Sequence, residues 1–148
     1  VMNAEAILGE VDFVSIGTND LTQYTMAADR LLGDLAHLNN PWQPAVLKMI
    51  KMTVEGAQRA SVTAGKKKYV SVCGEAAADP ALAVVLIGLG VDTLSMNAGA
   101  IPAVAAVLKS VTKEKAQQIA AIALQQISSA EAKESARKAR PILDELGL

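Results

Sequence analysis

Within one short stretch near the start of the chain stand a carboxamide, a carboxylate, two hydroxyls and a guanidinium: Asn19, Asp20, Thr18, Thr22 and Arg30. A carboxylate among hard oxygen donors suits a magnesium ion. The planar fork of an arginine suits a phosphate or a carboxylate. A second set, Cys73-Gly74-Glu75, offers a thiol and another carboxylate, and Asn97 stands apart as a third polar position. The chemistry these types allow is the binding of an anion beside a divalent cation, with a thiol able to pass a proton.

Each set follows an apolar run that reads as a strand. Val11 to Ile16 is short and β-branched, and is expected to be buried on both faces as parallel strands are. Tyr69 to Cys73 and Val91 to Met96 are the second and third strands. Between them the spacing predicts helices. Ala4 to Leu8 ends a helix at Gly9, and Leu21 to Ala28 is a brief one capped by Asp20. Ala45 to Ala64 carries Val46, Ile50, Val54 and Ala57 on one face and stops at Gly65. Asp79 is a good cap with Pro80 in the first turn of a helix reaching about Gly88. Further helices are expected over Ala100 to Leu108, Lys113 to Gln126, and Ala130 to Leu146 with a break at Pro141. Alternating strands and helices make an α/β chain, and three such units cannot close an eight-stranded barrel.

Composition removes several function classes. At 148 residues, 51 % apolar and net charge −1, the chain is one globular domain with no electrostatic case for nucleic acid. The run Lys66-Lys67-Lys68 reads as a solvated loop. Aromatics are scarce, so the core is expected to be aliphatic. A single cysteine excludes an intrachain disulfide and suits a reducing compartment, which leads to a cytoplasmic expectation. No basic leader opens Val1-Met2-Asn3-Ala4-Glu5, and Ala81 to Leu89 is too short to span a membrane. A strand begins within a few residues of Val1, so the chain reads as a fragment.

The order of the motifs adds more. Gly17-Thr18-Asn19-Asp20-Leu21-Thr22-Gln23-Tyr24-Thr25 followed by Ala27-Ala28-Asp29-Arg30 resembles the phosphoenolpyruvate-binding barrel of the enzyme I family of the bacterial sugar phosphotransferase system. Val72-Cys73-Gly74-Glu75, His37-Leu38-Asn39-Asn40-Pro41, Pro44 to Leu47, Leu89 to Asn97 and Ile101-Pro102 are also similar to that family. The resemblance covers Val1 to about Val111, the β/α units; residues 112–148 read as carboxyl-terminal helices. It implies the carboxyl-terminal portion of a phosphoenolpyruvate-binding (β/α)8 TIM barrel. It also implies that Asn19, Asp20 and Arg30 bind the substrate, that Asp20 is one of two acidic ligands of Mg2+, and that Cys73 protonates the enolate as a general acid. The implied partners are phosphoenolpyruvate, a histidine-containing phosphocarrier protein reached through other domains, and a second copy in a homodimer.

Taken singly, each residue has a plainer reading: Cys73 an inert buried thiol, Asp20 a helix cap, Arg30 a surface ion pair, Glu75 a loop brace and His37 loop packing. Where this chain has Ala76-Ala77-Ala78-Asp79, the family shows Leu-Ala-Gly-Asp, and the lost glycine removes a permissive backbone position. The family's second acidic metal ligand, two further arginines and the acceptor histidine have no counterpart here, so negligible phosphotransfer is expected of this chain alone. Two alternatives stand beside enzyme I: pyruvate phosphate dikinase or phosphoenolpyruvate synthase, and a non-catalytic dimerisation module.

Overall fold

The structure is a computed structural model that describes residues 1–139. Three parallel strands, β1 (Phe13–Gly17), β2 (Tyr69–Cys73) and β3 (Thr93–Ser95), lie in the order β1-β2-β3. Their register places Gly17 beside Cys73 and Cys73 beside Ser95, so the carboxyl ends finish level. That alignment brings the polar turns of the first and second strands to one edge of the sheet.

Eight α-helices are described: α1 (Ala4–Glu10), α2 (Thr18–Met26), α3 (Pro44–Ala64), α4 (Glu75–Ala78), α5 (Pro80–Leu89), α6 (Ile101–Lys109), α7 (Lys113–Leu124) and α8 (Ser129–Lys138). Two 3-10 turns, Gly33–Leu38 and Ala98–Ala100, complete the order. The core is aliphatic, as the composition predicts. Leu8, Val46, Leu47, Ile50, Leu82, Leu86 and Ile119 meet Val70 and Val72 of the central strand. Trp42, 2 % exposed, is its one large aromatic member among the described residues.

Helix α5 is apolar all round because it is wrapped all round, lying against α4, α6, α7 and α8. Its approach to α7 depends on Gly88. A Cβ at that position would overlap the Ala116 carbonyl, a backbone atom that no side-chain rotation can move.

Several expectations need correction. The first strand is not buried on both faces: Val14 and Ile16 turn toward the helices, while Phe13 and Ser15 on the alternate face are exposed. Among the described residues helices cover only one side of this sheet, and the period of two sends every other residue to the uncovered side. The third strand is shorter than Val91–Met96, and α1 runs through Gly9 to Glu10. The basic run is not wholly solvated. Lys66 pairs with Asp12 and Lys67 with Asp92, but Lys68 is 4 % exposed and its ammonium donates to the Val11 carbonyl at 2.7 Å. The Lys66 hydrogen bond holds the Asp12 carboxyl below the usual carboxylate range, and Asp92 holds the Lys67 ammonium above the usual lysine range. These ion pairs tie the strands at the end opposite the polar turns. The last expected helix is present as Ser129–Lys138; its break at Pro141 lies outside the described residues.

No helix among the described residues is long and apolar enough to cross a membrane.

Candidate active site

Helix α2 begins directly at the end of β1, with Gly17 as its N-cap and no side-chain cap. Asp20 is therefore not the cap the sequence suggested. It sits in the first turn, where a carboxylate is favoured by the unpaired N–H groups, and its side chain is 72 % exposed. Its carboxylate is therefore not engaged as a helix cap. At its other end α2 closes on Ala27, whose left-handed φ of 50° is rare for a residue with a Cβ. This turn swings the chain back toward the start of the helix.

Arg30 comes off that turn, and three local bonds set its place. Its own N–H donates to Gln23 Oε1 at 3.3 Å, the Leu31 N–H donates to Asp29 Oδ1 at 2.9 Å, and its guanidinium lies 3.8 Å from the Asp20 carboxylate. The pair is exposed on both sides, so it adds little to stability. Its consequence is one of placement, since the cationic and anionic groups are held side by side at low cost of separation. Ala27→Gly is expected to raise unfolding stability by about 1 kcal/mol by relieving the left-handed alanine. Chemical denaturation checks this, and an unchanged midpoint would mean the turn carries no strain.

The second turn rests on Gly74. Its φ of 92° and ψ of −154° belong to a region open essentially to glycine alone. This conformation lets β2 end at Cys73 and α4 start at Glu75 with no intervening loop. The glycine lost from the family pattern is not missed: Ala78 ends α4 in ordinary helical geometry, and Ala27 is the only non-glycine residue described with positive φ. Cys73 is partly exposed, on the uncovered side of the sheet between its neighbours Gly17 and Ser95. Its Sγ lies 3.6 Å from the Ile16 carbonyl, the contact of a weak S–H donor. The thiol is thus partly exposed rather than fully buried.

Asn19, Thr22, Arg30, Leu31, Ala36, Asn39 and Glu75 line one open cleft of about 420 Å³. A second cleft, of about 440 Å³, lies on the other side of Glu75 among Gly74, Ala78, Asp79 and Asn97. Of the residues singled out in the sequence, Asn19, Thr22, Arg30 and Glu75 share the first cleft. Asp20 joins them through its ion pair, and Cys73 stands at the neighbouring strand end without lining it. His37 does not line it; its Nδ1 lies 3.1 Å from the Asp34 carbonyl within the 3-10 turn. Asn97 uses its carboxamide oxygen to cap the Ala98–Ala100 turn.

Sequence reasoning missed Trp42. Its indole N–H donates to Asp79 Oδ2 at 3.0 Å while Asp79 Oδ1 caps α5 through the N–H groups of Ala81 and Leu82. One carboxylate therefore fastens the loop before α3 to the turn after Glu75. The signal was available in part: a lone indole in an aliphatic chain must find an acceptor when buried.

As a metal site the set is small. Among the described residues no group of three His, Cys, Asp or Glu side chains could hold an ion. An exposed carboxylate beside a carboxamide does fit magnesium, which takes one or two carboxylates and completes its shell with water and substrate oxygens.

The chain matches the family model described as "PEP-utilising enzyme, PEP-binding domain" over residues 1–113. It is similar to the phosphoenolpyruvate-protein phosphotransferase of Streptomyces coelicolor, 46 % identical over 136 residues, which span 92 % of this chain and 23 % of that protein. The protein of the same name from Haemophilus influenzae is 39 % identical over 88 % of this chain and 22 % of its own length. That of Bacillus subtilis is 40 % identical over 77 % of this chain and 19 % of its own length. The chain thus spans about a quarter or less of the curated relatives it matches. With Asn19, Asp20, Arg30, Cys73 and Glu75 all inside the matched residues, this chain belongs to the PEP-binding domain family of the PEP-utilising enzymes.

Proposed function

We propose that this chain is the carboxyl-terminal part of the phosphoenolpyruvate-binding barrel of a phosphoenolpyruvate-protein phosphotransferase. The whole enzyme passes phosphate from phosphoenolpyruvate to its own histidine and on to a histidine-containing phosphocarrier protein in sugar uptake, in the cytoplasm, as a homodimer. The observation that carries the reading is the convergence of Asn19, Arg30 and Glu75 on one cleft, with Asp20 paired to Arg30 at the carboxyl edge of a parallel sheet. The uncovered sheet face and the free edges of β1 and β3 are where the remaining strands of the barrel pack.

In this reading Arg30 would offer its fork to the phosphate, and Asp20, beside the Asn19 carboxamide, would hold Mg2+. The metal, when bound, neutralises charge on the transferring phosphoryl group. Cys73 gives its proton to the enolate carbon as pyruvate leaves, and the partly exposed position at the strand end leaves its S–H free to exchange the Ile16 contact for a substrate contact. Among the described residues Asp20 is the one carboxylate this reading gives to the metal, so the chain alone is expected to show negligible phosphotransfer.

The rival within the superfamily, pyruvate phosphate dikinase or phosphoenolpyruvate synthase, is less favoured. Gln23, part of the Gln23-Tyr24-Thr25 stretch that resembles enzyme I, is also the residue that accepts from the Arg30 N–H. Dependence of the full-length protein on a nucleotide would favour the rival.

The test is Arg30→Lys in the full-length enzyme. Lysine keeps the charge and loses the parallel donors. The Michaelis constant for phosphoenolpyruvate is expected to rise about tenfold or more. An unchanged constant would leave Arg30 as a surface ion pair and remove the main support for the reading.

A further inference from the structure

Two buried polar atoms of the first cleft have no hydrogen-bond partner among the described residues: Thr22 Oγ1 and Asn39 Oδ1. Both residues line that cleft beside Asn19 and Arg30. Such atoms are uncommon in folded chains and ask for a partner. Thr22 is 2 % exposed on α2, and its hydroxyl had a local solution that other helical hydroxyls take. Thr53, Ser61 and Thr63 each donate to the carbonyl four residues back. Thr22 does not. Asn39 is oriented by its other end, where Nδ2 donates to the Ala28 carbonyl at 3.2 Å, so its oxygen, an acceptor, is the unpaired atom. A residue whose hydroxyl can donate and one whose carboxamide oxygen can only accept thus line the same cleft as Arg30.

We propose that Thr22 and Asn39 hold one ordered water at the base of this cleft, and that the water hands a hydrogen bond to an anion seated on Arg30. The balance of donors works. Thr22 donates its O–H to the water, the water gives one hydrogen to Asn39 Oδ1, and its second hydrogen faces the cleft. The two unpaired atoms belong to residues that line one cleft of about 420 Å³, and a donor on one with an acceptor on the other are the partners such a water needs. The subsite is neutral, so it adds direction to the anion contact without adding charge. It also explains a structural link: Asn39 holds the Ala28 carbonyl at the start of the segment that carries Arg30. Thr22 and Asn39 are positioning residues in this scheme. The anion contact rests on the functional reading above, whereas the water site does not.

Two readouts on this chain separate those layers. In thermal unfolding without ligand, Thr22→Val is expected to lower the midpoint by about 3 °C, and Thr22→Ser to keep it. In a dry pocket the buried hydroxyl would be a liability, so an unchanged or raised midpoint for Thr22→Val overturns the water site. In titration with inorganic phosphate, Thr22→Val is expected to weaken binding about fivefold, Thr22→Ser to restore it, and Arg30→Ala to abolish it. Equal affinity of Thr22→Val and the unaltered chain overturns the anion contact even where the melts support the water. Absence of phosphate binding by the unaltered chain, or binding that survives Arg30→Ala, overturns the Arg30 reading and with it the anion contact, while the melts still decide the water site.

Discussion

Cys73→Ala in the full-length enzyme is expected to lower the turnover number for pyruvate release by about a hundredfold or more, with the Michaelis constant for phosphoenolpyruvate little changed. The expectation rests on the proposed function, in which Cys73 protonates the enolate, and its placement is compatible with that role. The thiol ends β2 on the side of the sheet that no helix covers among the described residues, level with Gly17 and Ser95, and there engages the Ile16 carbonyl at 3.6 Å. A weak contact of this kind fixes the rotamer without consuming the proton. Gly74, in its glycine-only conformation, lets Glu75 follow at once and puts the cleft of Arg30 beside the strand end. Loss of the proton donor should stall the enolate rather than the binding of substrate. Single-turnover measurement of pyruvate, with deuterium incorporation into its methyl group, checks this. A variant that turns over normally would return Cys73 to a structural thiol, and a rise in the Michaelis constant alone would make it a binding group.

Asp79→Ala is expected to cost about 3 kcal/mol of unfolding free energy. About 1 kcal/mol of this is the lost cap of α5, whose first two free N–H groups Asp79 Oδ1 receives. The rest is the Trp42 indole N–H, left without an acceptor in a side chain only 2 % exposed. Asp79→Asn keeps an oxygen for one of the two jobs and should cost about half as much. Urea denaturation of the three forms checks the order. A cost near that of a simple cap would mean the indole finds water instead. The functional corollary is that Asp79→Ala loosens the turn carrying Glu75, which is part of the cleft lining.

Local signals carried much of this architecture. Tyr69 to Cys73 is a strand with the bounds its composition suggests, because a β-branched run between a lysine loop and Gly74 has few alternatives. Asp79-Pro80 opens α5 and Gly65 closes α3 in its left-handed cap, since those residue types satisfy or terminate helices by their own covalent geometry. The start of α2 was misjudged because Asp20 is a strong cap by type. Gly17 ends the strand at an angle that lets Thr18 enter the helix three residues after Ser15. The burial of β1 was misjudged because an apolar run does not say how many of its faces will be covered.

The candidate site was legible in its residue types and less so in its supports. Asn19, Asp20, Arg30 and Glu75 are distinctive in a short segment, and the structure brings them to one edge. What holds them there crosses long stretches of chain: Trp42 reaches Asp79, and Thr18 reaches the Cys73 carbonyl at 3.5 Å. Bonds between residues dozens of positions apart depend on the packed fold, and no local pattern encodes them. Thr22 stands out in the sequence only as a hydroxyl near Asn19 and Asp20, and Asn39 only as part of a loop, until the cleft they line is seen.

In the proposed function Asn19, Asp20 and Arg30 stand ready to hold phosphoenolpyruvate and its metal. Calorimetric titration of phosphoenolpyruvate with magnesium into this chain, beside Arg30→Ala, decides whether they do. Saturable, magnesium-dependent binding that disappears in the variant is the expected result. Equal behaviour of the two forms, whether both bind or neither does, would contradict it.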